Sequence, residues 1–195
     1  MRFSEDLDFT ASEKLPDGVS EMVSRNLSLF GIQNKLKNIT DNETTLSFRI
    51  TANGPLNTGL KDRCIVYVEI SKREKVVEKV MPLKFDRPEY QLPVKRLAGM
   101  ALEEVGAEKV RAIITREKAR DIYDLYYLVQ NKKIKFRNDL VNEKLGYYKI
   151  EFDRSRFIDE IDKRKGDYIK ELKSIVFDDP INYDLVKSTI DKWAR

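Results

Sequence analysis

The sequence of 195 residues contains no histidine and one cysteine, Cys64. Without histidine the protein has no Ser-His-Asp triad, no Cys-His pair and no zinc site with histidine ligands. A single cysteine allows neither a disulfide within the chain nor a cysteine cluster for zinc or iron–sulfur. An enzyme of this composition therefore has carboxylates, lysines, arginines, tyrosines and a bound metal as its chemical groups.

Long hydrophobic runs are also lacking, and we expect no signal peptide. No apolar stretch approaches the about 18 residues that span a bilayer, and the N-terminus shows no signal-peptide pattern. Cys64 lies in the apolar run Cys64–Val68, which predicts a buried thiol. These features predict a cytoplasmic protein without a membrane partner.

Charges of both signs are plentiful and nearly balanced. There are 37 basic and 33 acidic residues, a net charge of +4, and 41% of the residues are hydrophobic. Such a composition can fill a core and solvate a surface, and it excludes a disordered chain with a large net charge.

Strand patterns dominate the first half of the chain and helical patterns the second. The predicted strands are Arg2–Phe9, Thr44–Thr51, Asp62–Ile70 and Val76–Leu83, with a helix after Gly18. The predicted helices are Leu97–Thr115, Ala119–Asn131, Arg154–Ile175 and Tyr183–Trp193. This order predicts an α+β fold, with a mixed β-sheet in residues 1–92 and a helical region in residues 93–195.

Acidic residues recur along the first predicted strand. Alternate side chains of a strand share a face, so Ser4, Asp6 and Asp8 project together. We expect Phe3, Leu7 and Phe9 to face a core. Neighbouring aspartates repel each other unless a cation lies between them, and oxygen ligands favour Mg²⁺ or Mn²⁺. The alternative is an edge strand whose solvent face is acidic.

Glu69 is a single acidic residue near the end of the apolar strand Val66–Ile70. It is either a third ligand beside Asp6 and Asp8 or a strand-end residue paired with a nearby cation. Two acids on one strand and a third on a neighbour are typical of metal-dependent phosphoryl or nucleotidyl transfer.

Residues 108–120 carry five basic side chains against two acidic ones. Helical periodicity predicts that Lys109, Arg116 and Arg120 share a face, and Asp124 is spaced to orient Arg120. Such cations can clamp a triphosphate. The alternative is an amphipathic helix pair whose charges are solvated.

Together these segments resemble the AbiEii/MenT-type nucleotidyltransferase family, within the DNA-polymerase-β-like superfamily. Arg2–Phe9 resembles the family signature RxSxDLDF, and Glu69 falls where the family has a further strand acid. Glu108–Lys109 followed by Arg116–Leu125 resembles the signature EK…RxKxRDxYDL. The motifs occur in family order across about two thirds of the chain.

The resemblance implies a metal-dependent transfer of a nucleoside monophosphate from an NTP to an acceptor, which is a tRNA 3′ end in some members. By position, Asp6 and Asp8 would hold the metal and the nucleotide, with Glu69 as a further metal ligand. The nucleotide-binding residues would be Ser4, Lys109, Arg116 and Arg120, with Asp121 completing the catalytic set and Asp124 supporting it. The family consists of toxins of abortive-infection toxin–antitoxin pairs, which implies an antitoxin as protein partner.

Family members have a Gly-Gly-(Thr/Ser) turn ahead of the acidic strand, and this sequence begins one residue before the signature arginine. Either the start of the gene lies further upstream, or the protein lacks this turn; the hypothesis is a shortened protein with intact carboxylates and an incomplete phosphate loop. Two alternatives to the enzyme stay open: a non-catalytic remnant that binds nucleotide, RNA or a protein, and a nucleic-acid-binding module that uses the basic helices.

Overall fold

The structure is a computed structural model, and it describes residues 6–54, 57–59, 62–90 and 93–195. It divides into two compact units, one ending at Lys75 and one running from Val76 to the C-terminus. We call them the sheet unit and the helical unit. The boundary between residues 92 and 93 stays a prediction, and the two units of the structure divide earlier in the chain.

The sheet unit is a four-stranded mixed sheet with one helix. Its elements are β1 (Asp6–Thr10), α1 (Val19–Leu29), β2 (Asn34–Asp41), β3 (Thr45–Ala52) and β4 (Cys64–Ser71). The strand order is β1-β4-β3-β2, in which β1 is parallel to β4 and the other neighbours are antiparallel. A parallel edge strand on an antiparallel sheet confirms the mixed sheet expected from the sequence.

One face of this sheet is buried by α1. Alternate residues of β3 are apolar and point to that face, because side chains of a strand alternate between faces. The core consists of Leu46, Phe48, Ile50 and Val68, packed against Val19, Val23 and Leu27 of α1. Gly18, with φ 73°, precedes the helix in a left-handed conformation that favours glycine. The opposite face of the sheet therefore carries the polar side chains.

Three expectations about the apolar residues of this unit are wrong. Leu7 and Phe9 are 50% and 54% exposed, because β1 is an edge strand and the core centres on β3. Cys64 is exposed, since it is the first residue of β4 and lies beyond the buried part of the ladder.

The helical unit contains a hairpin and six of the seven α-helices found among the described residues. Its elements are β5 (Met81–Phe85), β6 (Lys95–Gly99), α2 (Leu102–Thr115), α3 (Ala119–Lys132), α4 (Asn138–Gly146), α5 (Arg154–Lys163), α6 (Lys165–Leu172) and α7 (Tyr183–Trp193). Its core is built from buried residues of α2 to α7, among them Val110, Ile122, Leu145, Phe157, Leu172 and Ile190.

The α+β class with a helical C-terminal half is confirmed, and several element boundaries differ. The predicted strand Val76–Leu83 begins at Met81, and the start of the predicted helix at Leu97 belongs to β6. The predicted helix Arg154–Ile175 divides into α5 and α6 at Arg164. In the described parts of the chain, no helix is both long and apolar enough to cross a membrane.

Candidate active site

The acidic face of the sheet unit is formed by β1 and β4. Asp6 and Asp8 are alternate residues of β1, and Asp8 is the cross-strand partner of Glu69. The Glu69 side chain is 53% exposed, and its Oε1 lies 3.8 Å from Nη2 of Arg73. The structure therefore places all three acids on one face, and it also contains the strand-end ion pair that was the alternative for Glu69.

An open groove of about 420 Å³ follows this face. The residues that line it include Asp6, Asp8, Ser47, Arg49, Tyr67 and Glu69. The guanidinium carbon of Arg49 lies 6.0 Å from the ring centroid of Tyr67. Within the same unit, the groove thus has carboxylates on β1 and β4 and a guanidinium on β3.

Arg49 was missed by the sequence analysis. A signal was present, because Arg49 lies between Phe48 and Ile50 on a strand whose apolar residues alternate. A cation at such a position must point to the polar face of the sheet. Only the register of β3 with β4 places it beside Tyr67 and near the acids.

The acids of β1 fit a hard divalent cation whose remaining ligands would come from phosphate oxygens and water. Among the described residues there is no group of three or more acidic or cysteine side chains placed to hold a metal ion. Mg²⁺ commonly takes one or two protein carboxylates and completes its octahedron with phosphate oxygens and water. Asp6 and Asp8 supply that donor set, as two carboxylates at alternate positions of one strand.

A cluster of four charged side chains in the helical unit holds the residues of the second motif. Lys109 of α2 donates to Asp121 Oδ1 at 3.0 Å and to Asp124 Oδ2 at 2.7 Å. Arg116 donates from Nε and Nη2 to the two oxygens of Asp121, at 2.8 and 2.9 Å. We call these four residues the helix-pair cluster.

Asp121 is the buried member of the helix-pair cluster, with 1% of its side chain exposed. Burial alone would raise the pKa of its carboxyl, but the hydrogen bonds and charges of Arg116 and Lys109 outweigh it and lower the pKa below its usual range. Asp121 is therefore ionised at neutral pH, and from α3 it holds Lys109 of α2 and Arg116, the residue that follows α2.

Arg120 does not share one helical face with Lys109 and Arg116, although helical periodicity predicted that it would. At Arg116 the backbone is extended, with φ −144° and ψ 153°, so the helical repeat does not continue from α2 into α3. Arg116 nevertheless meets Lys109 at Asp121, while the contact described for Arg120 is its backbone N–H donating to Glu171 at 3.3 Å. Ser4 and Phe3 lie outside the described residues.

A second buried ion pair in the helical unit was also missed. Lys144 Nζ lies 2.6 Å from Glu104 Oε1 and 3.1 Å from Glu108 Oε1. Glu104 also accepts hydrogen bonds from the backbone N–H groups of Val77 and Glu78, at 2.8 and 2.9 Å. The available signal was the spacing of Glu104 and Glu108, two like charges one helical turn apart that need a cation between them.

Comparisons with known proteins agree with these motifs. The family model described as nucleotidyl transferase AbiEii toxin, type IV TA system, matches residues 1–193. Among solved structures, the chain is similar to MenT4, the nucleotidyltransferase toxin Rv2826c from Mycobacterium tuberculosis H37Rv. That similarity has a TM-score of 0.63 at 17% sequence identity and covers 99% of this chain and 68% of the other, which shows a shared fold. A search of curated proteins gave no match.

Proposed function

This chain belongs to the AbiEii family of nucleotidyl transferase toxins, and from that premise we propose that it transfers a nucleoside monophosphate from an NTP to an acceptor. The observation that carries the proposal is the groove of the sheet unit, where Asp6 and Asp8 lie on the same face as Arg49. A tRNA is the acceptor we propose, and a cognate antitoxin is the protein partner.

Asp6 and Asp8 would hold Mg²⁺ or Mn²⁺ together with the phosphates of the NTP. A divalent cation bound there would neutralise phosphate charge and favour attack of an acceptor hydroxyl on the α-phosphorus, with the bond to the β-phosphate broken and pyrophosphate released. Glu69 is the cross-strand neighbour of Asp8 and adds negative charge on the same face. Its ion pair with Arg73 is long and half-exposed, so we expect Glu69 to contribute less than the two aspartates.

In the helical unit, Lys109 and Arg116 are the groups suited to phosphate, and Asp121 positions them. Since the pKa of Asp121 is lowered and its side chain is buried, this carboxylate is a poor proton acceptor at neutral pH. Its role is to hold the ammonium and the guanidinium in fixed directions, with Asp124 as the second partner of Lys109. Preorganised cations of this kind stabilise charge that develops on phosphate oxygens.

Label transfer tests the proposal. The protein is incubated with Mg²⁺, each of the four NTPs labelled on the α-phosphate, and total tRNA. We expect labelled RNA with the wild type, and a loss of about a hundredfold or more with Asp6→Asn or Asp8→Asn, because metal stabilisation of the transition state is worth several kcal/mol. Asp17→Asn removes the same charge from an exposed position of the sheet unit and should keep full activity.

Transfer that does not depend on Asp6 or Asp8 would contradict the assignment of the site. Activity that depends on both aspartates with an acceptor other than tRNA would contradict only the proposed acceptor. Both outcomes can be read from one gel, provided that labelled RNA and labelled protein run as separate bands.

One observation favours a second candidate, a non-catalytic member that binds nucleotide, RNA or a protein partner. Lys109 is already paired with two carboxylates, so part of its charge is neutralised within the helical unit. A titration with Mn²⁺, followed by water proton relaxation in the presence of NTP, separates the two functions. Absence of binding at the acidic strand would favour the non-catalytic member.

A further inference from the structure

The strand register arranges the polar face of the sheet unit in two rows that cross the strands. One row contains Asp6, Tyr67, Arg49 and Lys37, and the other contains Asp8, Glu69, Ser47 and Thr40. Both rows begin with aspartate on β1. The first row ends in two cations and the second in two hydroxyl groups, so the face changes from acidic to basic or neutral along each row.

Arg49 is the cation on this face that combines a buried, unpartnered donor with an aromatic neighbour. Its Nε is buried and has no hydrogen-bond partner among the described residues. Its guanidinium also forms no ion pair with any acidic side chain that the structure describes. Tyr67 is its direct cross-strand neighbour and lies under the guanidinium. A buried donor without an acceptor is costly, and no described residue accepts from Arg49 Nε, so this side chain is suited to an anion that binds in the groove.

Among the described residues, Arg49 forms no ion pair with the carboxylates of β1, and Glu69 of β4 is paired with Arg73. Asp6 and Arg49 are separated by β4, so their backbones lie two strand spacings apart, about 10 Å. A ligand with a cation at one end and phosphates at the other would satisfy both sides of the groove. A nucleoside triphosphate with its divalent metal has this distribution of charge.

We propose that Arg49 binds the phosphate chain of the nucleotide, with the metal-bound phosphate toward Asp6 and Asp8. The inference rests on the proposed function and adds to it a positioning residue and a direction for the triphosphate in the groove. The planar guanidinium suits two phosphate oxygens at once, and its carbon lies over the Tyr67 ring, 6.0 Å from the ring centroid. Lys37, the next residue in the row, adds positive charge beyond it.

Calorimetric binding of inorganic triphosphate and of ATP, each with Mg²⁺, tests the inference on the full chain. Arg49→Met removes the charge and keeps the length of the side chain over Tyr67. We expect it to weaken both ligands by about 10- to 100-fold, which corresponds to the loss of one or two charge-assisted hydrogen bonds. Arg49→Lys keeps the charge without the planar fork and should fall between this variant and the wild type.

Lys35→Met is the matched control. Lys35 is exposed on the same face of β2, opposite Thr51 of β3, and does not line the groove. Its loss removes one positive charge from the same unit, so any general electrostatic effect on anion binding is equal in the two variants. We expect the affinity of Lys35→Met for triphosphate to stay within about twofold of the wild type.

Each outcome has one meaning. Equal triphosphate affinities of Arg49→Met and Lys35→Met would overturn the inference and leave the proposed function standing. If Arg49→Met kept triphosphate affinity and lost affinity for tRNA, Arg49 would serve phosphates of the acceptor, and the inference would be wrong. Wild-type protein that binds neither triphosphate nor ATP would contradict the proposed function and the inference together. Should Arg49→Met melt at a lower temperature than the wild type, the triphosphate affinity of Arg49→Lys decides. An affinity below that of the wild type would support the inference, and an unchanged affinity would contradict it.

Discussion

Replacing Asp121 by asparagine should destabilise the helical unit more than the same replacement of Asp124, the other carboxylate of the helix-pair cluster. The substitution keeps the shape of the side chain and removes its charge. Asp121 accepts three hydrogen bonds from Lys109 and Arg116, and 1% of its side chain is exposed. Both cations would lose the carboxylate that now fixes them.

The expected loss of stability is about 2 to 4 kcal/mol. Breaking a buried ion pair by removing one partner costs about 3 to 5 kcal/mol when the remaining charge is buried. Here the remaining charges are better placed, because 47% of the Arg116 side chain is exposed and Lys109 keeps Asp124. The retained amide oxygen can also accept one of the three hydrogen bonds. For both reasons the expected loss is about 2 to 4 kcal/mol, which is less than the cost of leaving a fully buried charge unpaired.

Urea unfolding followed by tryptophan fluorescence measures this loss in the relevant unit. Trp193 is the single tryptophan of the sequence, and it lies in α7 of the helical unit with its Nε1 donating to Ile134 at 2.9 Å. Because the folded-state pKa of Asp121 is lowered, its contribution is complete above the ordinary aspartate pKa of about 4 and is lost as the pH falls through the folded-state value. The difference between wild type and Asp121→Asn should therefore be full at pH 7 and shrink below about pH 4.

Asp139→Asn is the matched control for the charge. Asp139 pairs with Arg137 at the exposed start of α4, so its loss should shift the midpoint much less. A difference for Asp121→Asn below about 1 kcal/mol at pH 7, or one that stays constant down to pH 3, would refute the reasoning from buried charge.

Buried polar groups elsewhere in the helical unit give further predictions. The Tyr168 hydroxyl is buried and has no partner among the described residues, so Tyr168→Phe should raise stability by up to about 1 kcal/mol in urea unfolding. Tyr183→Phe should lower it by about 1 kcal/mol, because the Tyr183 hydroxyl donates to the carbonyl of Ile161 at 2.6 Å; equal signs for the two variants would contradict this contrast. Glu104→Gln should cost about 3 to 5 kcal/mol by leaving Lys144 buried without its nearest counter-charge, and adding Lys144→Met should restore most of that loss. No recovery in the double variant would show that Glu104 acts chiefly through the backbone of Val77 and Glu78.

Features governed by local periodicity were predictable from the sequence. The alternation of Leu46, Phe48 and Ile50 predicted a half-buried strand, and these residues form the core of the sheet unit. The polar residues around Arg116 predicted the break between α2 and α3. Asp6 and Asp8 share a face, as strand geometry requires.

Features that depend on partners distant in sequence were not predictable in the same way. β2 lacks a clear apolar alternation, and it becomes a strand through its pairing with β3. Leu7 and Phe9 were expected in a core because they are apolar and alternate, but burial also depends on which helix covers that part of the sheet. Propensity is a weak guide where packing supplies most of the free energy.

The amino-acid sequence by itself determined the available chemistry and the family. The lack of histidine leaves oxygen ligands and cations as the reactive groups, and the family model matches residues 1–193. Only the tertiary structure decided which charges meet. The chain turns sharply at Arg116, so Lys109 and Arg116 share Asp121, and the pairing of β3 with β4 sets Arg49 beside Tyr67 in the acidic groove. Sequence periodicity gives the direction of a side chain within its own element, whereas the distance between elements is set by strand register and by the conformation of the loops that join them.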